Sequence, residues 1–271
     1  MPKIMLDAGH YGKYNRSPAV EQYYESDMSW SLHLLLKAEL EKYGIEVGVT
    51  RADKDTDLEV YRRGKKAKGY DMFISLHSNA SGSGINETCD HPIVYRYSHD
   101  TGEGDTFARN ISGAIAEAMS TAEGGRVGTR VQSGGAEYYG VLRGAAAVEC
   151  PHAYIFEHSF HTATKPTRWL MQKQNLELLA KKEAEIIADF YGINREDEMT
   201  KEDYEKLEKR ILTLENQNKV YHYYTELPAW AREQIQRLHR EGKFAGNGAG
   251  DINLDLDLIR ILVILANNKI L

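Results

Sequence analysis

Three short apolar runs, each ending abruptly in a histidine or a glutamate, constrain this chain more than any other feature. The clearest occupies residues 70–80, where Met72, Phe73, Ile74 and Leu76 are nearly continuous and His77 follows at once. Such a run reads as a strand buried on both faces of a parallel sheet, although periodicity alone also admits a buried helical segment. Ile4, Met5 and Leu6 lead into Asp7-Ala8-Gly9-His10, and Tyr154, Ile155 and Phe156 lead into Glu157-His158-Ser159-Phe160. Open α/β sheets bind ligands outside the carboxyl ends of their strands. A single histidine at such a position is ordinarily a satisfied structural residue. Three such ends, on strands able to lie side by side, favour a site.

The intervening sequence alternates between periods. Residues 11–24 are polar and read as a loop. Ser26 or Asp27 is the expected cap of a helix carrying Trp30, Leu32, Leu35, Leu36 and Leu40, with Gly44 just past its end. Residues 45–50 read as a strand and 58–68 as a helix exposing Arg62, Arg63 and Lys65. Further strands are expected at 93–97, 138–142 and 153–156, and helices at 105–119 and 170–191. The alternation predicts an α/β fold: a twisted, mainly parallel sheet with helices on both faces. The glycine-rich stretch 123–135 lacks a Gly-Lys-Ser/Thr ending and is not a phosphate loop.

Composition narrows the function. A net charge of -6 and the lack of a basic block give no support to nucleic-acid binding. The two cysteines, Cys89 and Cys150, cannot form a disulfide framework. No apolar window of about 18 residues predicts a membrane span, and no basic-then-apolar leader predicts a signal peptide. The expectation is a protein made in the cytoplasm that stays there unless released.

Two histidines and a carboxylate suit catalytic zinc, which usually takes three protein ligands and keeps one position open. His10 and His77 can be two of them, and Glu25, after a loop that can fold back over the same edge, can be the third. A carboxylate that is not a ligand then serves as general base and acid, and Glu157 fits because its strand should end at the same edge. His158 with His161, and Cys89-Asp90-His91, are rival metal groupings that lack further ligands or a recognised spacing. His152 is expected to be exposed.

Taken in order, Asp7-Ala8-Gly9-His10, Glu25 opening a helix, Val49-Thr50-Arg51, Ser75-Leu76-His77-Ser78-Asn79 and Glu157-His158-Ser159-Phe160 resemble the zinc-dependent N-acetylmuramoyl-L-alanine amidases of the Amidase_3 type. These occur in phage endolysins and bacterial wall hydrolases, and the likeness spans about residues 2–192. It implies zinc held by His10, Glu25 and His77, Glu157 as the catalytic glutamate, and cleavage of the amide between N-acetylmuramic acid and the L-alanine of the stem peptide. It also implies action on bacterial peptidoglycan after release by a holin or by lysis. Another zinc peptidase on the same layout, or a muropeptide binder without activity, are the alternatives. The chain departs from the family in having Ala8 where proline is usual, Tyr11 and Ser159 where glycine is usual, and His161-Thr162-Ala163 where an asparagine is frequent.

The expected organisation is a catalytic domain over 1–193, a helical linker over 194–226 and a small helical module over 227–271. Tyr204, Leu207, Ile211, Leu214, Asn218 and Tyr221 follow heptad spacing, which predicts a homodimer through 204–221 and the final module, or a plain connecting helix. Trp230, Ile235, Leu238, Phe244, Leu254, Leu256, Ile259, Leu262 and Leu265 are the expected core of that module, which is read as anchoring the protein to the wall.

Overall fold

A computed structural model describes residues 1–193, 201–217, 219–245 and 251–271. The chain divides into two compact units, Met1–Glu196 and Asp197–Leu271. The first is built on a six-stranded sheet. Its strands are β1 (Lys3–Ala8), β2 (Glu46–Val49), β3 (Met72–Asn79), β4 (Ile93–Arg96), β5 (Arg126–Gly128) and β6 (His152–Phe160), in the order β2-β1-β3-β6-β4-β5. The first four in that order are parallel, whereas β4 runs antiparallel to β6 and carries β5 parallel to itself.

The central strands are apolar on both faces because both faces are covered. Ile4, Leu6, Met72, Ile74, Leu76, Tyr154 and Phe156 pack beneath α1 (Glu25–Lys42), α3 (Glu103–Met119) and α6 (Lys173–Phe190). Met5, Phe73, Ala153 and Ile155 face the opposite way, onto Ala67 and onto Val141, Leu142 and Ala145 of α4 (Gly140–Ala146). On that side α4 crosses α2 (Val60–Lys65) so closely that a Cβ on Gly64 would strike Val141 O, and one on Gly144 would strike Tyr61 O.

Several local expectations are corrected. Residues 138–142 do not form a strand; Val141, Leu142 and Ala145 recur at helical spacing and begin α4. The helix expected over 170–191 is α6, but the short α5 (Thr164–Leu170) before it was not expected, and the three-residue β5 was hidden in the glycine-rich stretch. Helix α1 starts at Glu25, one residue after Tyr24, and neither Ser26 nor Asp27 caps it. Ser26 Oγ instead receives Tyr14 N–H at 2.9 Å and donates to Gly12 O at 2.8 Å, tying the 11–24 loop to the helix. Gly44 does follow α1 with φ +72°.

The second unit holds α7 (Lys201–Gln217), a two-stranded antiparallel sheet of β7 (Val220–Tyr223) and β8 (Asp251–Asp255), α8 (Ala229–Arg240) and α9 (Leu256–Asn267). The sheet was not expected. Tyr221 lies in β7 and is buried, so the helical heptad does not extend to it. Leu207 and Ile211 are exposed on α7 within this chain. Asn218 and the expected boundary at 194–200 lie outside the described residues, as do the side chains of Tyr204 and Leu214. The core of the unit is Tyr221, Leu227, Ala231, Ile235, Leu238, Ile252, Leu254, Ile259, Leu262, Val263 and Ala266, with Phe244 and Leu256 packed against it. Trp230 is exposed rather than part of that core. Among the described residues, no helix is long and apolar enough to cross a membrane.

Candidate metal centre

The three apolar runs are β1, β3 and β6, adjacent in the sheet and parallel, so their carboxyl ends share one edge. His77 and Glu157 are paired across β3 and β6. Alternation along each strand puts them on the face covered by α2 and α4. Gly9 continues β1 by donating its N–H to Leu76 O at 3.0 Å. A Cβ there would lie 2.5 Å from His77 Cε1, so only glycine lets the histidine ring approach the turn. His10 follows with φ +57°.

The loop after His10 returns to the same edge. Glu25 N–H donates to Asn15 O at 3.0 Å, and Asn15 Nδ2 donates to Glu25 Oε2. Glu25, only 1% exposed, thereby enters from the start of α1. Its Oε1 lies 2.7 Å from His77 Nδ1 and accepts Ser78 N–H at 3.1 Å. Its Oε2 lies 3.1 Å from His10 Nε2. One ligand atom from each of His10, Glu25 and His77 falls within 4.8 Å of the others. Among the described residues, no other group of three His, Cys, Asp or Glu side chains converges in this way.

The rival groupings do not converge on a shared point, although His161 borders the centre with Nδ1 3.9 Å from Glu25 Oε2. His158 Nε2 lies 2.6 Å from Glu183 Oε1 on the opposite face, and its Nδ1 lies 2.8 Å from His77 O. His161 Nδ1 lies 2.9 Å from Ser78 Oγ. Asp90 accepts Lys165 Nζ at 3.0 Å and Ser159 Oγ at 3.1 Å. His152 is half-buried rather than exposed, with Nδ1 2.9 Å from Asp100 Oδ2.

Burial works to raise the Glu25 carboxyl, but hydrogen bonds from His10 and His77 outweigh it and hold it well below the usual carboxylate range. Burial likewise opposes charge on His77, yet the bond and the charge of Glu25 raise it to about 9. This is a site where a carboxylate demands positive charge between itself and two imidazoles. A borderline divalent cation meets that demand by displacing the proton, so the donor set fits zinc. Beside it, burial lifts Glu157 to about 7, and its Oε2 is buried with no hydrogen-bond partner.

These groups line a cleft of about 370 Å³ whose other wall is Val60 and Arg63 of α2 with Tyr139, Gly140 and Val141. Arg63 was expected on an exposed face. It is instead 4% exposed, donating Nε–H to Leu58 O at 2.8 Å and Nη2–H to His10 O at 3.3 Å. Sequence reasoning also missed Asn15 and Ser78, which hold Glu25, and Asp7 and Ser75, which lie beneath His77. The period-2 alternation back from His77 to Ser75 was the available signal for the last.

The sequence matches the family described as N-acetylmuramoyl-L-alanine amidase, Amidase_3, over residues 4–189. No curated protein matches it. The fold is similar to Cwp6 from Clostridium difficile at TM-score 0.61 and 24% identity, over 70% of this chain and 29% of that one. It is also similar to the catalytic domain of CwlV, an N-acetylmuramoyl-L-alanine amidase from Bacillus (Paenibacillus) polymyxa var. colistinus, at TM-score 0.59 and 23% identity, over 72% of this chain and 100% of that one. AmiC2 of Nostoc punctiforme, another N-acetylmuramoyl-L-alanine amidase, gives TM-score 0.58 and 21% identity, over 70% of this chain and 97% of that one.

Proposed function

The chain belongs to the N-acetylmuramoyl-L-alanine amidase family, and on that premise we propose a zinc-dependent enzyme whose ligands are His10, Glu25 and His77 and whose general base is Glu157. It is a peptidoglycan hydrolase that cleaves the amide between N-acetylmuramic acid and the L-alanine of the stem peptide. The observation that carries the metal assignment is the convergence of three ligand atoms within 4.8 Å at a strand edge that also presents Glu157.

When bound by these side chains, zinc supplies a Lewis acid for the scissile carbonyl and acidifies the attacking water. Glu157 takes the proton from that water as a carboxylate and returns it to the departing amine of L-alanine, so one group serves first as base and then as acid. Burial favours its protonated form, the direction required of a group that must hold the proton between the two steps. Asn15 and Ser78 hold the Glu25 carboxylate in place, and the α2–α4 wall closes the other side of the cleft. Elemental analysis tests the assignment: one zinc per wild-type chain is expected, and full zinc occupancy in His77→Ala would contradict it.

The unit over 197–271 is proposed to anchor the enzyme to the wall and to pair two copies, raising the local concentration of the amidase on an insoluble substrate. The exposed Leu207 and Ile211, one turn apart on α7, support the pairing. Release through a holin, as for a phage endolysin, is the corresponding proposal for delivery. A chain ending at Ile193 should still cleave soluble muropeptide, run as a monomer in light scattering and bind walls more weakly. Unchanged mass and wall binding would overturn the proposal for this unit.

A further inference from the structure

Beneath the candidate metal centre lies a chain of buried polar groups that the proposed reaction does not use. Asp7 on β1 and Ser75 on β3 are register partners, and both are 0% exposed. Asp7 Oδ1 accepts the Thr50 hydroxyl at 2.6 Å, and Oδ2 accepts the Ser75 hydroxyl at 2.7 Å. A carboxylate only accepts, so the Ser75 hydrogen is committed to Asp7. The Ser75 oxygen is then left with acceptor capacity alone, and His77 Nε2 lies 3.1 Å from it. The hydrogen on that contact must come from the imidazole. With Nε2 carrying hydrogen, a neutral His77 turns its Nδ1 lone pair toward Glu25 Oε1, 2.7 Å away. Two acceptors facing each other at that distance need a positive charge between them.

We infer that Asp7 is a positioning residue of the metal centre: acting through Ser75, it keeps the hydrogen of His77 on Nε2 and presents Nδ1 to the metal. The inference rests on the zinc reading above. The same carboxylate also lies beside the group that holds the backbone of His10. Arg63 Nη1 lies 3.7 Å from Asp7 Oδ2, while Arg63 Nη2 donates to the backbone oxygen of His10 at 3.3 Å. Asp7 thus backs the His77 imidazole through a hydroxyl and, through a guanidinium, the backbone that carries His10. Groups that orient metal-bound histidines in this manner typically contribute about 10–100-fold in metal affinity. A purely structural Asp7, stitching β1 to Thr50 and Ser75, would leave the histidine nitrogens free to exchange roles.

Two measurements separate these accounts. Nitrogen-15 spectra of the zinc-loaded wild-type protein should show His77 with hydrogen on Nε2 and the metal on Nδ1. Zinc affinity, measured by competition with a chelator, should fall about 10–100-fold in Ser75→Ala. It should fall at least as far in Asp7→Asn, whose amide can donate to Ser75 and so turn the serine hydrogen toward Nε2. Hydrogen found on Nδ1 in the zinc-loaded wild type, or unchanged zinc affinity in Ser75→Ala, overturns the inference and leaves the zinc reading intact. A wild-type chain that binds no zinc overturns both. The spectra need no variant, so the inference stays testable even if Asp7→Asn fails to fold.

Discussion

His77 and Glu157 stand directly opposite each other on the adjacent parallel strands β3 and β6. Residues that close share a site but need not share a task. His77 Nδ1 lies 2.7 Å from Glu25 Oε1, whereas Glu157 Oε2 has no hydrogen-bond partner. Glu157→Gln should therefore keep zinc while turnover falls by about 10²–10⁴-fold, the usual contribution of a general acid–base group. Loss of zinc in that variant would make Glu157 a ligand.

Gly9→Ala should be far more damaging than its size suggests. The added methyl would lie 2.5 Å from His77 Cε1 and 2.6 Å from Leu76 O, and backbone cannot yield as a flexible side chain can. Displaced His77 should bind metal poorly, so zinc content and activity should fall together. Wild-type zinc affinity in Gly9→Ala would show that the ring is not held where the structure puts it.

His158 and Glu183 form a wholly buried pair, both 0% exposed, joining β6 to α6. Removing one partner of such a pair leaves the other uncompensated, at a cost of about 3–5 kcal/mol. Glu183→Leu should lower stability by that order in denaturant titrations, and Glu183→Gln should cost less because its amide oxygen can still accept from Nε2–H. Equal stability of all three proteins would remove the pair from the account of how β6 is held.

His33 gives the fold an acid-sensitive element outside the cleft. It is 1% exposed on α1, and burial pushes it down to about 4 from an ordinary 6.5. The unfolded chain takes up its proton first as pH falls, so stability is intact above about pH 6.5 and is lost progressively toward pH 4. The shift amounts to about 3 kcal/mol. His33→Gln should flatten the stability profile in that window, and an unchanged profile would mean that the acid sensitivity lies elsewhere.

What the sequence disclosed follows from burial. The strands carrying His10, His77 and Glu157 were legible because sheets covered on both faces produce uninterrupted apolar runs. Residues 138–142 misled because a short apolar run suits a strand and a glycine-rich helix equally, and only contact with α2 decides between them. Arg63 misled because a cation on a helix is ordinarily solvated, whereas here carbonyl oxygens of Leu58 and His10 draw it in. Ser159, where glycine is usual, adopts φ +59°, and its hydroxyl bond to Asp90 secures a left-handed backbone that glycine would take freely. Ser75 shares the face of His77 by strand alternation, but Asp7 was unreadable as a site residue because its importance lies in a cross-strand pairing with Ser75 that no local spacing encodes.

Mass spectrometry of purified peptidoglycan digested by the zinc-loaded protein tests the central claim most directly. The account predicts glycan strands bearing intact, unsubstituted lactyl groups together with free stem peptides that begin at L-alanine, and neither product from His77→Ala. Release of the terminal stem residue with the N-acetylmuramoyl–L-alanine bond left uncut would contradict it.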